Sequence, residues 1–146
     1  MVKLRFLFAF GAALALAVPA YAGTREEDLA QYLASTASAQ AQGDAVAAAQ
    51  YLQAAIVVLP VATEPYNRLA QLYADADEPL LARKYFAIAL DIDPTNAVAL
   101  KGMAFLNLAA GDREGALAER DLLAKSCGKT CPETAQVEKA LGTVTQ

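Results

Sequence analysis

Three breaks in an otherwise helical pattern, Gly43-Asp44, Asp77-Glu78 and Gly111-Asp112, stand 34 residues apart. Other residues keep the same phase: Ala48, Ala82 and Ala116; Ala55 and Ala89; Pro60 and Pro94; Tyr32, Tyr66 and Leu100. A fixed period of this length means a stacked repeat, in which each unit buries its apolar face only against its neighbours. The chain is rich in alanine, and its apolar positions recur at helical rather than alternating spacing. Each unit therefore holds two helices of about 13 residues, joined at the break and closed by a proline, which cannot continue a helix. The alanine five positions after each break lets the second helix approach its partner closely. A larger side chain there would overpack the contact at a cost of roughly 1–3 kcal/mol.

Hydrophobic residues make up 56% of the 146, high for a soluble domain. Much of the surplus lies at the start, where Lys3 and Arg5 precede the apolar run Phe6 to Val18 and the small-residue end Ala20-Tyr21-Ala22. Charge, length and an A-x-A site predict a secretory signal peptide over 1–22, cleaved after Ala22. The alternative is an uncleaved anchor, which is weaker because the run before Pro19 is about 13 residues and a bilayer core needs roughly 20. No cysteine near the cleavage point suggests a lipid-modified N-terminus. Residues 23–146 keep 10 of the 12 basic residues and all 16 acidic ones, a net charge of −6. An acidic surface repels phosphate backbones and anionic lipid, so neither nucleic acid nor stable membrane insertion after cleavage is expected.

The chain has no histidine, which removes His general bases, Cys-His and Ser-His-Asp nucleophiles, c-type haem attachment and most zinc and copper sites. Ser126-Cys127-Gly128-Lys129 fits a Ser-x-x-Lys pattern, but the companion Ser-Asp-Asn and Lys-Thr-Gly are missing. Gly128-Lys129-Thr130 resembles the end of a phosphate-binding loop, yet Leu123 stands where its first glycine is required. Both matches are chance. Cys127 and Cys131, separated by three residues in a turn-like segment, are expected to form a local disulfide in an oxidising compartment. Free thiols or a redox pair are the alternatives, although the spacing is not C-x-x-C. Two thiolates alone do not fill a tetrahedral metal site, and no cofactor or metal is expected.

The repeat resembles the tetratricopeptide repeat family. Within 63–96, Tyr66, Leu69, Ala70, Tyr73, Ala82, Phe86, Ala89 and Pro94 fall on the family's aromatic, Leu, small, Tyr, Ala, aromatic, Ala and Pro positions. Residues 29–62 match in their second half through Gly43, Ala48, Leu52, Ala55 and Pro60, while Ser35, Thr36 and Ala39 are weak, so the first helix is expected to pack less tightly. Residues 97–130 keep Leu100, Met103, Ala104, Gly111, Asp112 and Ala116, but Arg120 replaces an aromatic and Gly128 replaces the closing proline, as suits a terminal repeat. The resemblance implies an all-α, right-handed α-solenoid of about three repeats across 23–142. A capping helix over 132–142, with Ala135, Val137, Ala140 and Leu141 covering the stack, and a short tail, 143–146, complete it. Thr24-Arg25-Glu26-Glu27 reads as a capping box opening the first helix.

Family geometry implies that the first helix of each repeat turns Leu33 and Gln40; Glu64, Asn67 and Gln71; and Lys101, Phe105 and Leu108 toward a concave groove. A clamp for a C-terminal carboxylate is not supported, since the face offers mainly Asn67 and Lys101, with Arg68 beside it. The competing reading makes Phe105 and Leu108 core, and Asn67 and Lys101 ordinary solvated surface. Tyr32, Tyr66, Tyr73 and Phe86 read as helix-packing residues. The acidic clusters Asp75-Asp77-Glu78 and Asp91-Asp93 read as solvated helix ends, because no ligand-spaced loop with a closing Glu is present. The expected role is a non-catalytic interaction module of the bacterial periplasm or envelope that binds a protein or peptide partner. The alternatives are an assembly subunit acting through its stack ends or as a homo-oligomer, favoured by any exposed apolar face on 132–142, and, remotely, an enzyme.

Overall fold

The computed structural model describes residues 23–143; the predicted signal peptide and the tail from residue 144 lie outside the described residues. Seven helices, α1 (Arg25–Ala41), α2 (Ala45–Val58), α3 (Thr63–Asp75), α4 (Pro79–Ile92), α5 (Ala97–Ala109), α6 (Arg113–Ser126) and α7 (Pro132–Thr143), follow one another, with no strand among the described residues. Each odd helix of the first six pairs antiparallel-fashion with the next across a short turn, and α7 lies over α5 and α6. α1 begins four residues ahead of the repeat phase, and α7 runs to Thr143, one residue beyond the predicted cap.

The turn inside each repeat has one chemistry used three times. The residue just past the first helix is left-handed: Gly43 at φ 72°, Asp77 at 59° and Gly111 at 78°. In each case the next amide reaches back five residues: Asp44 N to Ala39 O at 2.9 Å, Glu78 N to Tyr73 O at 2.9 Å and Asp112 N to Asn107 O at 2.8 Å. These bonds satisfy carbonyls that the helix end would leave unpaired. The second helix is then capped by Asp44 Oδ1 from Ala47 N (2.9 Å) and by Asp112 Oδ1 from Gly115 N (2.8 Å), whereas α4 starts with Pro79, whose missing N–H is no loss at a first position. At the start of α1 the capping box closes both ways, Thr24 N donating to Glu27 Oε2 (2.8 Å) and Glu27 N to Thr24 Oγ1 (3.2 Å).

Ala48, Ala82 and Ala116, together with Ala55 and Ala89, have no exposed surface, so the small positions mark where the helices touch. Between the second and third repeats the core is Tyr66, Ala70, Phe86, Ala89 and Ala99; a second cluster joins Leu100, Ala104, Ala116 and Leu123 to Val137 and Leu141 of α7. Tyr66 is buried and donates its hydroxyl to Pro60 O at 3.1 Å. Tyr32 and Tyr73 are only half-buried; Tyr73 stacks on Tyr85 with centroids 5.5 Å apart. In the first repeat Thr36 is fully buried and bonds the Tyr32 carbonyl at 2.8 Å. Its small neighbours Ser35, Ser38 and Ala39 leave an open cleft of about 260 Å³ against Ala47 and Tyr51.

Candidate functional site

Glu64, Asn67 and Gln71 on α3 are spaced i, i+3, i+7, and so are Val98, Lys101 and Phe105 on α5. Each set forms a stripe on one helix face, and the two stripes line a groove made of two cavities that share Gln71. Its first half is a cavity of about 540 Å³ lined by Thr63, Glu64, Asn67, Arg68, Gln71, Asn96 and Val98. Its second half, about 380 Å³, shares Gln71 and adds Lys101, Phe105, Leu106 and Gln136 over Phe86 and Gly102. Five of the eight residues expected to face the groove are thereby brought together: Glu64, Asn67, Gln71, Lys101 and Phe105.

The other three lie elsewhere. Gln40 lines an adjoining cavity of about 370 Å³ with Gly43, Leu72 and Asp75. Leu33 is half-buried on α1, outside the α3–α5 groove. Leu108 packs against the Leu100–Leu123–Val137 cluster, because α7 arrives over that side of α5 and offers it an apolar surface; the groove assignment of Leu108 is corrected accordingly. Phe105 is 42% exposed and belongs to the groove rather than to the core.

Asn67 is not solvated surface. It is 8% exposed and donates from Nδ2 to Asn96 Oδ1 at 3.0 Å. Asn96 in turn caps α5, accepting from Ala99 N at 3.0 Å, and donates from Nδ2 to Thr63 Oγ1 at 3.1 Å. This chain fixes the amide orientation of Asn67 and leaves its Oδ1 buried without a donor, a loss of roughly 1–3 kcal/mol for a buried acceptor. Arg68 pairs with Glu64 at 2.7 Å on the groove rim, where both are well exposed and the pair contributes only a few tenths of a kcal/mol. Gln71 donates to Asp75 at 2.8 Å. Lys101 Nζ donates to Gln136 Oε1 on α7 at 3.2 Å, so the capping helix forms the far wall of the groove.

Sequence reasoning missed Thr63, Asn96, Val98 and Gln136 as lining residues. Asn96 was legible as an N-cap ahead of Ala97, and Val98 stands one repeat after Glu64; Gln136 carried no signal, since the repeat phase does not set how a cap helix docks.

The link into α7 holds the cysteines. Cys127 and Cys131 are at bonding distance with Cα atoms 5.8 Å apart. The fully buried Thr134 donates from Oγ1 to Gly128 O at 3.0 Å and touches Cys131 Sγ at 3.1 Å. Glu133 lies close by, but sulfurs joined to each other do not ligate a metal. α7 is also tied by Arg113 Nη1 to Leu141 O at 2.8 Å and by Arg120 to Glu138 at 3.9 Å. On the α6 side, burial pushes the Glu119 carboxyl above the usual glutamate range, a shift opposed by the charge of Arg83.

Stacked helix pairs of this kind recur among solved structures. The chain superposes on the TPR2B domain of yeast Sti1, solved with an Hsp70 peptide complex, with a TM-score of 0.73 at 15% identity over 82% of this chain and 97% of that one. This is a tetratricopeptide-repeat fold. The first TPR of Spaghetti (RPAP3), bound to the HSP90 peptide SRMEEVD, gives 0.70 at 12% identity, covering 82% and 97%. The Yersinia enterocolitica type III secretion chaperone SycD, in complex with a peptide of the translocator YopD, gives 0.70 at 16%, covering 80% and 92%. No family and no curated protein matches the chain by sequence. At these identities the likeness is one of fold.

Proposed function

We propose that this chain is a non-catalytic protein-binding module that takes an extended segment of a partner protein in the α3–α5 groove. The observation that carries the reading is the pair of apolar side chains Val98 and Phe105, 45% and 42% exposed along the α5 side of the groove. The apolar side chains of an extended segment fit beside Val98 and Phe105. The Spaghetti domain and the SycD chaperone named above each hold a peptide, which supports the class of partner without identifying it. The charged N-terminus, short apolar run and small-residue site of 1–22 support export, with action in the bacterial periplasm or envelope.

The assembly alternative draws nothing from α7. Val137 and Leu141 are buried, while Ala135, Gln136, Glu138 and Lys139 face solvent, so the cap offers no apolar strip for self-association. Affinity capture from an envelope extract tests the proposal, run beside a folded Lys101→Glu/Phe105→Ala variant. One protein recovered by the wild type and lost by the variant is the expected result. Equal recovery by both moves the site to the convex face or the stack ends, and recovery by neither favours self-association. A mature N-terminus at Gly23 in the periplasmic fraction is expected from the export reading.

A further inference from the structure

We infer that the Cys127–Cys131 bond is a thiol-exchange site with a fixed direction: the thiolate of an incoming thiol or dithiol attacks Cys127 Sγ, and Cys131 leaves as the thiolate. The inference is independent of the groove reading.

The two sulfurs belong to opposite kinds of helix end. Cys127 is the C-cap of α6, its N–H donating to Leu123 O at 2.9 Å. Its Sγ lies 3.4 Å from that same carbonyl oxygen and 4.0 Å from Gly128 O. Carbonyl oxygens at a helix C-terminus carry partial negative charge, which disfavours a thiolate there. Cys131 directly precedes Pro132 at the start of α7, and its carbonyl accepts from Ala135 N at 3.1 Å, the first bond of that helix. The first-turn N–H groups of a helix carry partial positive charge, which favours a thiolate. The Thr134 hydroxyl is fully buried, 3.1 Å from Cys131 Sγ and 3.7 Å from Cys127 Sγ. While the sulfurs are joined it donates to Gly128 O; turned to Cys131, it stabilises the departing thiolate. Glu133 does not distinguish the two, since its carboxylate lies within 4.8 Å of both sulfurs.

Access agrees with charge. Cys127 is exposed and Cys131 half-buried, so the sulfur open to attack is the one whose partner leaves best. Exchange is faster when the departing thiolate is the better stabilised. In the first step the incoming sulfur bonds to Cys127 Sγ, and the electron pair of the broken bond goes to Cys131 Sγ. The second thiolate of a dithiol then attacks the first reductant sulfur; Cys127 leaves and takes a proton from water. The dithiol is oxidised to a disulfide, and this chain is reduced by two electrons. In the reverse direction Cys131 is the attacking group.

The test exposes the oxidised protein to reduced glutathione without denaturant, quenches early with iodoacetamide, and maps the modified cysteines by mass spectrometry. Glutathione on Cys127 with carbamidomethyl on Cys131 is expected to exceed the opposite arrangement about tenfold. Thr134→Val should slow opening several-fold, and Thr134→Ser, which keeps the hydroxyl, should restore the rate. Glu133→Gln should leave the choice of sulfur unchanged. Circular dichroism establishes that each variant is folded. Glutathione on Cys131, or on both cysteines alike, overturns the direction of attack, and an opening rate indifferent to Thr134→Val overturns the role given to that hydroxyl. Adducts that form only in urea make the bond an inert brace and overturn the inference as a whole.

Discussion

Gly102 sits in the middle of α5, where glycine costs a helix about 1 kcal/mol relative to alanine. Propensity alone therefore makes Gly102→Ala stabilising by that amount. The structure reverses the sign. A Cβ at position 102 would overlap the Cζ, Cε2 and Cε1 atoms of the Phe86 ring, and Phe86 is 2% exposed in the α4–α5 core. Overpacking of this kind costs about 1–3 kcal/mol. With a near-complete overlap the upper part of that range applies, leaving a net loss of about 1–2 kcal/mol, or about 4–8 °C in Tm for a domain of this size. The partner variant isolates the cause. Phe86→Leu is destabilising in itself, but it removes the far end of the ring, so adding Gly102→Ala to it should recover about 1 kcal/mol. Urea unfolding of the four proteins followed at 222 nm gives a coupling of about 2–3 kcal/mol. Equal effects of Gly102→Ala in both backgrounds, or a gain in the wild type, would show that the ring does not rest on this glycine.

The shared turn predicts that Gly111→Ala costs about 1 kcal/mol, left-handed strain outweighing the reduced freedom of the unfolded chain, while Asp77→Gly gains about 0.5 kcal/mol or less, since Asp tolerates φ 59° and glycine loosens the unfolded state; denaturation midpoints moving the opposite way would refute the common geometry. Glu119 titrates above its unfolded value because burial outweighs the Arg83 charge, so the folded protein holds more protons in that window and loses stability as pH rises through it. Glu119→Gln is therefore expected to raise Tm at pH 7 and to lose that advantage below the usual glutamate range; a constant difference across pH counts against the cause. Reducing the Cys127–Cys131 bond opens a five-residue loop and should cost about 2 kcal/mol by chain entropy, read as faster amide exchange in α7; unchanged protection there would mean that the apolar contacts of Val137 and Leu141 hold the cap alone.

The repeat was legible because its defining residues answer to local chemistry. Gly43, Asp77 and Gly111 tolerate φ > 0, Ala48, Ala82 and Ala116 admit a neighbouring helix, and both requirements recur at a fixed interval whatever the partner helix does. The groove was legible only where the same interval places it, at Glu64, Asn67, Gln71, Lys101 and Phe105. Two departures come from contacts that the hydrophobic pattern does not encode. Asn67 is buried because Asn96, a cap residue of the next repeat, reaches back to it, and a polar pair 29 residues apart leaves no mark in a hydrophobic pattern. Leu108 turned inward because α7 covered it, and the docking of α7 follows surface shape rather than repeat phase.

The irregular third repeat is best understood from the same helix. In the internal repeats Ala55 and Ala89 are small, leaving room for the first helix of the following unit to approach. The corresponding residue of the third repeat is Leu123, fully buried against Val137 and Leu141. Arg120 stands where Leu52 and Phe86 fill the earlier interfaces, and it faces Glu138 at 3.9 Å across the edge of the cap. Gly128, at φ 92° where a proline closed the earlier units, lets the chain fold back into α7 instead of advancing along the stack. Each departure converts an interface made for another repeat into one made for a single amphipathic helix. A fourth repeat could not stack here without displacing α7, and displacing α7 would remove Gln136 from Lys101. The end of the solenoid and the far wall of the groove are therefore the same element.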